Sequence, residues 1–329
     1  MKRAILLVNT GSPISPKAED VERYLKDFLG DPRVMSIPSW IRKPLVQRVI
    51  APRRAPHSAK KYESIWSTRG FPLQYLTEEL AAKMSRIGDL PVYAAMRYNR
   101  GSVDRALRQA ASDGVESLVV CPMMPHYAMS SYESAVAHVV ERYQEGSFSF
   151  ELLSVRPYFD HPAYIDLLVN QIVEHVPERT HLLFSYHSIP HAQAKPYAGN
   201  QEKDYQAQCE IMTQLICSSE KIKALNLTHE MAYQSRFGNK RWLSPFTSDR
   251  IAQLPCEHKE IAVICPSFVC DNLETSWEIN IYERQRFIDE GGKDLILVPC
   301  PNASDLCAQA LLEVSAEERC SDAQIWTKP

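Results

Sequence analysis

His187 is predicted to lie at the end of a buried strand, where a side chain can take part in catalysis or bind a metal. His187 follows an apolar run that begins at His181 and is typical of a buried strand, and Ser188-Ile189-Pro190 then turns the chain away. An imidazole exchanges protons near neutral pH or binds a metal through one nitrogen. The plainer interpretation is a histidine that bonds a neighbouring carbonyl group. The strand end favours a functional role, because open α/β sheets bind ligands at the carboxyl ends of their strands.

A second candidate is an acidic segment with helical spacing. One stripe contains Asp271, Glu274, Glu278 and Tyr282, and the neighbouring stripe, predicted to face the core, contains Leu273, Trp277 and Ile281. Three acids on one helix face repel one another, and such a face is most often simply solvated. The alternative is a ladder of oxygen ligands that passes a divalent cation inward or accepts protons. The apolar run before this segment, residues 261–265, is predicted to be a strand that ends at the same sheet edge as the strand before His187. This shared position favours the interpretation as a ladder of oxygen ligands.

Short apolar runs alternate with amphipathic stretches, the pattern of strands flanked by helices. The predicted strands are Ala4–Val8, Val92–Met96, Leu118–Cys121, His181–Tyr186, Ile261–Cys265 and Leu295–Val298. Their continuous apolar character predicts parallel sheets that are buried on both faces. A helix is predicted between Ser15, as its cap, and Gly30, with an apolar stripe formed by Val21, Tyr24, Leu25 and Phe28.

The chain repeats itself once. Three motifs occur in the same order in both halves: residues 7–13 resemble 184–190, residues 96–99 resemble 235–238, and residues 119–122 resemble 263–266. The order predicts two similar α/β lobes, residues 1–160 and 161–329, that divide near Pro157–Tyr164. We expect a ligand cleft between the carboxyl ends of their strands.

Composition excludes several classes of protein. A net charge of −3 gives no reason to expect a nucleic-acid partner. The nine cysteines contain no C-x-x-C pair, which argues against a disulfide framework or a zinc knuckle. No apolar run approaches the length of a spanning helix, and the apolar start ends at Asn9-Thr10-Gly11, too early for a signal peptide. A nucleotide-binding Rossmann enzyme would carry G-x-G-x-x-G after the first strand, where residues 9–14 read NTGSPI. We therefore expect a cytoplasmic protein, soluble or peripheral on the inner membrane.

Several ordered motifs resemble those of the ferrochelatases, from about residue 4 to about residue 310. The matching segments are residues 6–13, 28–34, 185–190, 233–238 with 242–243, and 271–275. The resemblance implies a chelatase fold of two Rossmann-like lobes, with protoporphyrin IX and Fe²⁺ as substrates and protohaem as product. It also implies that His187 is the proton acceptor or first metal contact and that Glu274 works with it. Asp271 and Glu278 would continue the acidic path and contact the metal.

The resemblance also implies where the porphyrin binds. Arg54 and Tyr62 match positions near the propionates, and an arginine fork suits a carboxylate. Apolar walls are predicted at Tyr98, Met123, Tyr127 and Trp242, although each is equally well explained as ordinary core. The chain departs from the family pattern at Thr10, Phe71 and Asn272; at Phe71 the family often has a serine, so a hydroxyl contact to a propionate is missing.

Two further expectations concern the membrane and iron–sulfur chemistry. Residues 35–50 are predicted to form an apolar lip on an anionic membrane, because protoporphyrin partitions into lipid and Arg42, Lys43 and Arg48 can pair with anionic headgroups. The alternative is a helix that packs on the body of the protein. Some relatives carry a [2Fe–2S] cluster, which needs closely spaced thiolates. The late cysteines, Cys300, Cys307 and Cys320, lack that spacing, so no cluster and no other tightly bound cofactor is expected.

Two alternatives to iron insertion remain at this point. A sister chelatase would perform the same chemistry on another metal or tetrapyrrole. A non-catalytic tetrapyrrole carrier would keep the pocket, but it would need walls more than it would need both His187 and Glu274.

Overall fold

The computed structural model of the chain describes residues 2–236, 241–316 and 320–327. Its strands are β1 (Arg3–Asn9), β2 (Val92–Met96), β3 (Ser117–Pro122), β4 (Glu151–Val155), β5 (His181–His187), β6 (Thr228–Gln234), β7 (Glu260–Ile264), β8 (Asp294–Leu297) and β9 (Cys320–Asp322). All six predicted strands are present, each with ends within two residues of the prediction. The strands β4, β6 and β9 were not predicted.

Helices cover most of the remaining chain. The α-helices are α1 (Ala18–Gly30), α2 (Ser39–Leu45), α3 (Ala51–Ser64), α4 (Pro72–Gly88), α5 (Ser102–Ser112), α6 (Ser134–Gly146), α7 (Pro162–His175), α8 (His191–Ala194), α9 (Tyr205–Ser218), α10 (Glu220–Ala224), α11 (Thr247–Gln253), α12 (Arg284–Asp289) and α13 (Asp305–Val314). Within the described ranges, three segments are π-helical, Val46–Ile50, Met129–Glu133 and Glu274–Glu283, and three are 3₁₀-helical, Lys195–Tyr197, Leu254–Cys256 and Ala323–Thr327.

The predicted cap of α1 is wrong in detail. The helix begins at Ala18, Lys17 takes the cap position, and no side chain caps the helix. Ser15 instead accepts a hydrogen bond from the backbone N–H of Lys17 and donates one to Asp20. The predicted stripe is present, since Val21 and Leu25 are buried.

The chain forms two compact units. The first unit comprises residues 1–124, 129–156 and 303–329, and the second comprises residues 125–128 and 157–302. The break after residue 156 lies beside the predicted divide. The predicted lobe from 161 to 329 differs from this division at its end, because the chain returns to the first unit after residue 302. There β9 pairs antiparallel with β4, and Trp326 is buried against Tyr132. This return depends on a pairing that is remote in sequence, which no local pattern reveals.

The two sheets repeat one topology. In the first unit the strand order is β2-β1-β3-β4-β9, and in the second it is β6-β5-β7-β8. The first strand of each unit lies between the second and third, and all pairs except β4–β9 are parallel. The repeat in the sequence is therefore a repeat in the fold. The central strands β1, β3 and β5 are buried along nearly their whole length, as parallel sheets covered by helices on both faces require.

Candidate active site

His187 is the last residue of β5, a central strand of the second unit. Its Nδ1 lies 2.7 Å from the backbone carbonyl oxygen of Ser188. Because a carbonyl oxygen only accepts hydrogen bonds, this contact places the proton on Nδ1. Within the described part of the chain, Nε2 has no hydrogen-bond partner. The neutral ring therefore presents Nε2 as a base or a metal ligand. The alternative interpretation of His187, a histidine that bonds a neighbouring carbonyl group, therefore applies to Nδ1 but not to Nε2.

The turn after His187 is held by its neighbours. The hydroxyl of Tyr205 donates to the carbonyl oxygen of His187 at 2.7 Å. The backbone N–H of Ser188 donates to the carbonyl oxygen of Gln234 on β6, and its hydroxyl donates to the carbonyl oxygen of Leu243. These three hydrogen bonds hold the turn, and the contact of Nδ1 with the Ser188 carbonyl then orients the imidazole, as a catalytic geometry requires.

The acidic segment is a π-helix over Glu274–Glu283 rather than the predicted α-helix. Its buried residues are Thr275, Ile279 and Glu283. The predicted core-facing stripe of Leu273, Trp277 and Ile281 is therefore wrong, and Ile281 is 45% exposed. The i→i+5 hydrogen bonding of a π-helix widens each turn, so α-helical spacing no longer tells which side chains share a face.

Asp271 anchors the start of the acidic segment. Its Oδ1 accepts a hydrogen bond from the hydroxyl of Thr275 at 2.9 Å, and its Oδ2 accepts one from the side-chain amide of Asn302 at 2.6 Å. The Asn302 oxygen in turn accepts the backbone N–H of Asp271. Since both carboxylate oxygens of Asp271 are engaged, they fasten the segment to the loop after β8.

The three carboxylates gather at the end of β7. Burial raises the pKa of the Cys265 thiol, and the charges of Asp271, Glu278 and Glu274 raise it further. Cys265 directly follows β7, whose neighbour in the sheet is β5. Parallel strands end at the same edge, so His187 and the acidic segment leave one sheet at one edge, as the sequence predicts.

No group of three or more histidine, cysteine, aspartate or glutamate side chains is arranged to hold a metal ion anywhere in residues 2–236, 241–316 and 320–327. The residues predicted to contact metal, His187, Glu274, Asp271 and Glu278, thus do not form a closed coordination cage.

Glu283 is a buried acid that the sequence did not single out. Its side chain is 3% exposed, and its Oε2 lies 3.7 Å from the guanidinium of Arg286. Burial raises the pKa of Glu283 to about 7, with Arg286 opposing and the charges of Glu278 and Asp249 adding to the rise. The fold therefore favours the protonated form of this carboxyl group.

The raised pKa of Glu283 predicts a pH-dependent stability. Because its folded pKa lies above the ordinary value of 4.5, its favourable contribution is complete below that value and is lost as pH rises through about 7. Glu283→Gln, which mimics the protonated form, should raise the free energy of unfolding at pH 8 by about 1–2 kcal/mol after allowance for solvent screening. Denaturant unfolding at pH 8 and at pH 4.5 measures this, with exposed Glu290→Gln as the control. A gain of equal size at both pH values would contradict the explanation.

The candidate porphyrin contacts in the first unit are largely buried. The Tyr98 hydroxyl is 3.0 Å from Oδ2 of Asp31, and burial together with the Asp31 charge raises the pKa of Tyr98. Tyr62 packs edge-on against Phe71, and Met123 follows β3. Tyr98 and Met123 thus contribute to the core of this unit, as the alternative interpretation allows, and Tyr62 is buried there as well.

Three further candidates occupy different settings. Arg54 lies on α3. Burial lowers the pKa of its guanidinium, and Tyr62 opposes part of this effect. The guanidinium remains charged. Tyr127 is buried in the second unit, with the Lys203 ammonium 5.2 Å from its ring. Trp242 is half-buried and its backbone forms a bridge to Pro190, three residues beyond His187. Phe237 and Gly238 of the family-like motif lie outside the described residues.

Comparison with known proteins agrees with the motifs. The family model described as Ferrochelatase matches residues 2–319. A ferrochelatase from Opitutus terrae is 37% identical over 321 residues, covering 91% of this chain and 93% of the relative. One from Edwardsiella ictaluri is 36% identical over 324 residues, covering 96% and 98%. Among solved structures, SirB from Bacillus subtilis with Fe³⁺ has a TM-score of 0.55 at 10% identity with 97% of each chain covered, which shows a shared fold.

Proposed function

This chain belongs to the ferrochelatase family of iron-inserting enzymes, and we propose that it inserts Fe²⁺ into protoporphyrin IX to form protohaem with release of two protons. The observation that supports this most directly is His187, which presents Nε2 at the end of β5 at the sheet edge from which the acidic segment also leaves.

The reaction has a simple balance. The free porphyrin carries two pyrrole N–H groups, Fe²⁺ forms four bonds to the ring nitrogens, and two protons leave. Nε2 of His187 accepts a pyrrole proton, which requires the neutral imidazole; in that form the Ser188 carbonyl contact keeps the ring proton on Nδ1 and leaves Nε2 as the acceptor. A positioned base of this kind contributes about 10²–10⁴ in rate.

The three carboxylates of the acidic segment have different roles in the proposed reaction. Glu274 begins the π-helix and acts with His187 at the ring, while Glu278 lies one turn further along and continues the path for the cation or the protons. Asp271 acts through its hydrogen bonds to Asn302 and Thr275, which hold the start of this segment in place. Oxygen ligands that do not close into a cage allow a cation to pass.

The macrocycle needs a cation for its propionates and apolar surfaces for its faces. We assign the propionates to Arg54 and Tyr62, and the walls to Trp242, Tyr127, Met123 and Tyr98. Phe71 is buried between Tyr62 and Trp66 and has no hydroxyl to offer, so Arg54 carries most of the propionate recognition.

The deciding experiment is anaerobic incubation of the protein with Fe²⁺ and protoporphyrin IX while porphyrin fluorescence is followed. An iron-inserting enzyme removes the fluorescence catalytically, over many turnovers. A non-catalytic carrier would change it once, in proportion to the protein. A sister chelatase would prefer Co²⁺ or an earlier tetrapyrrole in a competition assay, and that preference would redirect the proposal.

The predicted lip is helical, and one of its basic residues has another role. Residues 39–64 run through α2, a π-helical turn and α3, with Trp40 76% exposed. Arg42 is only 7% exposed, and its guanidinium donates to the carbonyl oxygens of Gly30, Met35 and Ile37. The prediction that Arg42 pairs with lipid is therefore wrong. Among the described residues, no helix is long and apolar enough to cross a membrane.

We propose that the lip rests on an anionic membrane through Trp40, Ile41, Lys43 and Arg48, in a protein otherwise in the cytoplasm. Lys43→Glu with Arg48→Glu should then lower the partition coefficient onto anionic liposomes, measured by co-sedimentation, by at least about 30-fold, because each exposed basic residue near such a surface adds about 1 kcal/mol. The matched control reverses two exposed arginines of α5, Arg105 and Arg108. Equal sedimentation of both double variants would contradict a lipid role for the lip.

We also propose that the protein has no resident iron–sulfur cluster and no other tightly bound cofactor. The three late cysteines lie on separate elements: Cys300 after β8, Cys307 in α13 and Cys320 in β9. Fe²⁺ is a substrate in this proposal, and nucleic acid has no part in it.

A further inference from the structure

Ser235 links the end of β6 to the acidic π-helix. Its hydroxyl donates a 2.8 Å hydrogen bond to Oε2 of Glu278, a residue 43 positions further along the chain. Throughout the described ranges, Glu278 receives no other hydrogen bond. The orientation of this carboxylate therefore depends on one serine.

The backbone places that hydroxyl firmly. Gln234, the residue before Ser235, is paired with His187 across the β5–β6 ladder, and its carbonyl oxygen accepts the N–H of Ser188. Ser235 itself has a φ of +64°, in the left-handed region that favours glycine. A glycine would adopt this conformation at no steric cost but would have no hydroxyl to donate. A serine held in this conformation at this point directs its side chain to Glu278.

The start of the acidic segment has a separate anchor. Asn302 also has a positive φ, +53°, and bonds both the carboxylate and the backbone N–H of Asp271. Asn272 further accepts the backbone N–H groups of Glu274 and Thr275. The π-helix is thus secured at its first turn without Ser235, and the Ser235 contact acts on the orientation of Glu278 rather than on the formation of the helix.

We infer that Ser235 is a positioning residue for iron insertion, one that holds Glu278 by Oε2 and leaves Oε1 to a passing cation or proton. The inference deepens the proposed function and rests on it. Hydrogen-bonded partners of a metal-ligating carboxylate typically change activity about 10–100-fold when they are removed.

Ser235→Gly tests this inference, because glycine keeps the backbone conformation and removes only the donor. We expect kcat for Fe²⁺ insertion into protoporphyrin IX to fall about 10-fold, no further than Glu278→Gln lowers it, while the KM for porphyrin stays unchanged. Ser147→Gly is the matched control: Ser147 is exposed at the end of α6 with a φ of +51°, and its variant should behave as wild type. Ser235→Asn, which tolerates this backbone and restores a donor, should recover most of the rate.

A double-mutant cycle separates positioning from a general structural effect. If Ser235 acts through Glu278, then Ser235→Gly should change nothing further in a Glu278→Gln background. Ser235→Ala is a second donor-free variant in case the glycine variant melts early. Wild-type turnover in either donor-free variant would overturn the inference alone. A wild-type protein that inserts no metal would overturn the proposed function and this inference with it.

Discussion

His187→Ala is expected to abolish iron insertion while porphyrin binding persists. Nε2 of His187 is the base that the geometry presents, and a methyl group in its place leaves no proton acceptor at the end of β5. Loss of a positioned general base typically costs about 10²–10⁴ in rate. In the proposed function porphyrin binding depends instead on the apolar walls and on Arg54, so we expect its affinity to change little.

Two measurements on each variant test this expectation. One is anaerobic turnover with Fe²⁺, and the other is a fluorescence titration of protoporphyrin IX without metal. His191→Ala is the control, because His191 is exposed at the start of the short helix α8, close in sequence to His187. A His187→Ala protein that inserts iron at nearly the wild-type rate would overturn the proposed function. If His187→Ala lowered porphyrin affinity by the same factor as turnover, His187 would instead have a role in substrate binding.

The second large effect is expected at Glu274. Glu274→Gln keeps the shape of the side chain and removes its charge, so kcat should fall about 100-fold if Glu274 acts with His187 as proposed. Glu278→Gln should cost less, about 10-fold, since Glu278 lies one turn further along the π-helix and the proposed function places it further from the ring. Both variants should raise the KM for Fe²⁺ more than the KM for porphyrin.

The alternative explanation of the acidic segment predicts a different outcome. If the acids merely face solvent, both substitutions should change turnover as little as Glu290→Gln, an exposed acid at the end of α12. Silent Glu274→Gln and Glu278→Gln variants would therefore remove the acidic path from the mechanism. An effect at Glu278 larger than that at Glu274 would reverse the order of the path.

The central strands were predictable because burial on both faces leaves a continuous apolar run. Thus β3 is buried along its whole length and was found from its apolar core, Leu118–Cys121. In contrast, β6 begins with Thr228, His229 and Glu230 at the edge of its sheet, where one side meets water. An edge strand of this kind lacks the apolar signal.

The position of the candidate site at one sheet edge was predictable from the sequence, and its detailed geometry was less so. His187 and the acids were found because they follow apolar runs whose ends meet at one sheet edge. The π-helix was not found, because its wider turn has no sequence signature that separates it from an α-helix. The partners that hold the site, Tyr205, Ser235 and Asn302, come from remote positions. Their roles depend on tertiary contacts that spacing along the chain does not reveal.

The discontinuous first unit has a consequence for the order of events during synthesis. The second unit is almost continuous in sequence, so all four strands of its sheet have been synthesised by the time residue 302 is added. The first unit must wait for α13, which packs on α4, and for β9, which completes its sheet beside β4. Until then the surfaces that receive Trp326 and Cys307 stay uncovered. The first unit thus begins to be synthesised first but completes its fold last. Its exposed apolar surface makes it the part of the nascent chain most prone to aggregation.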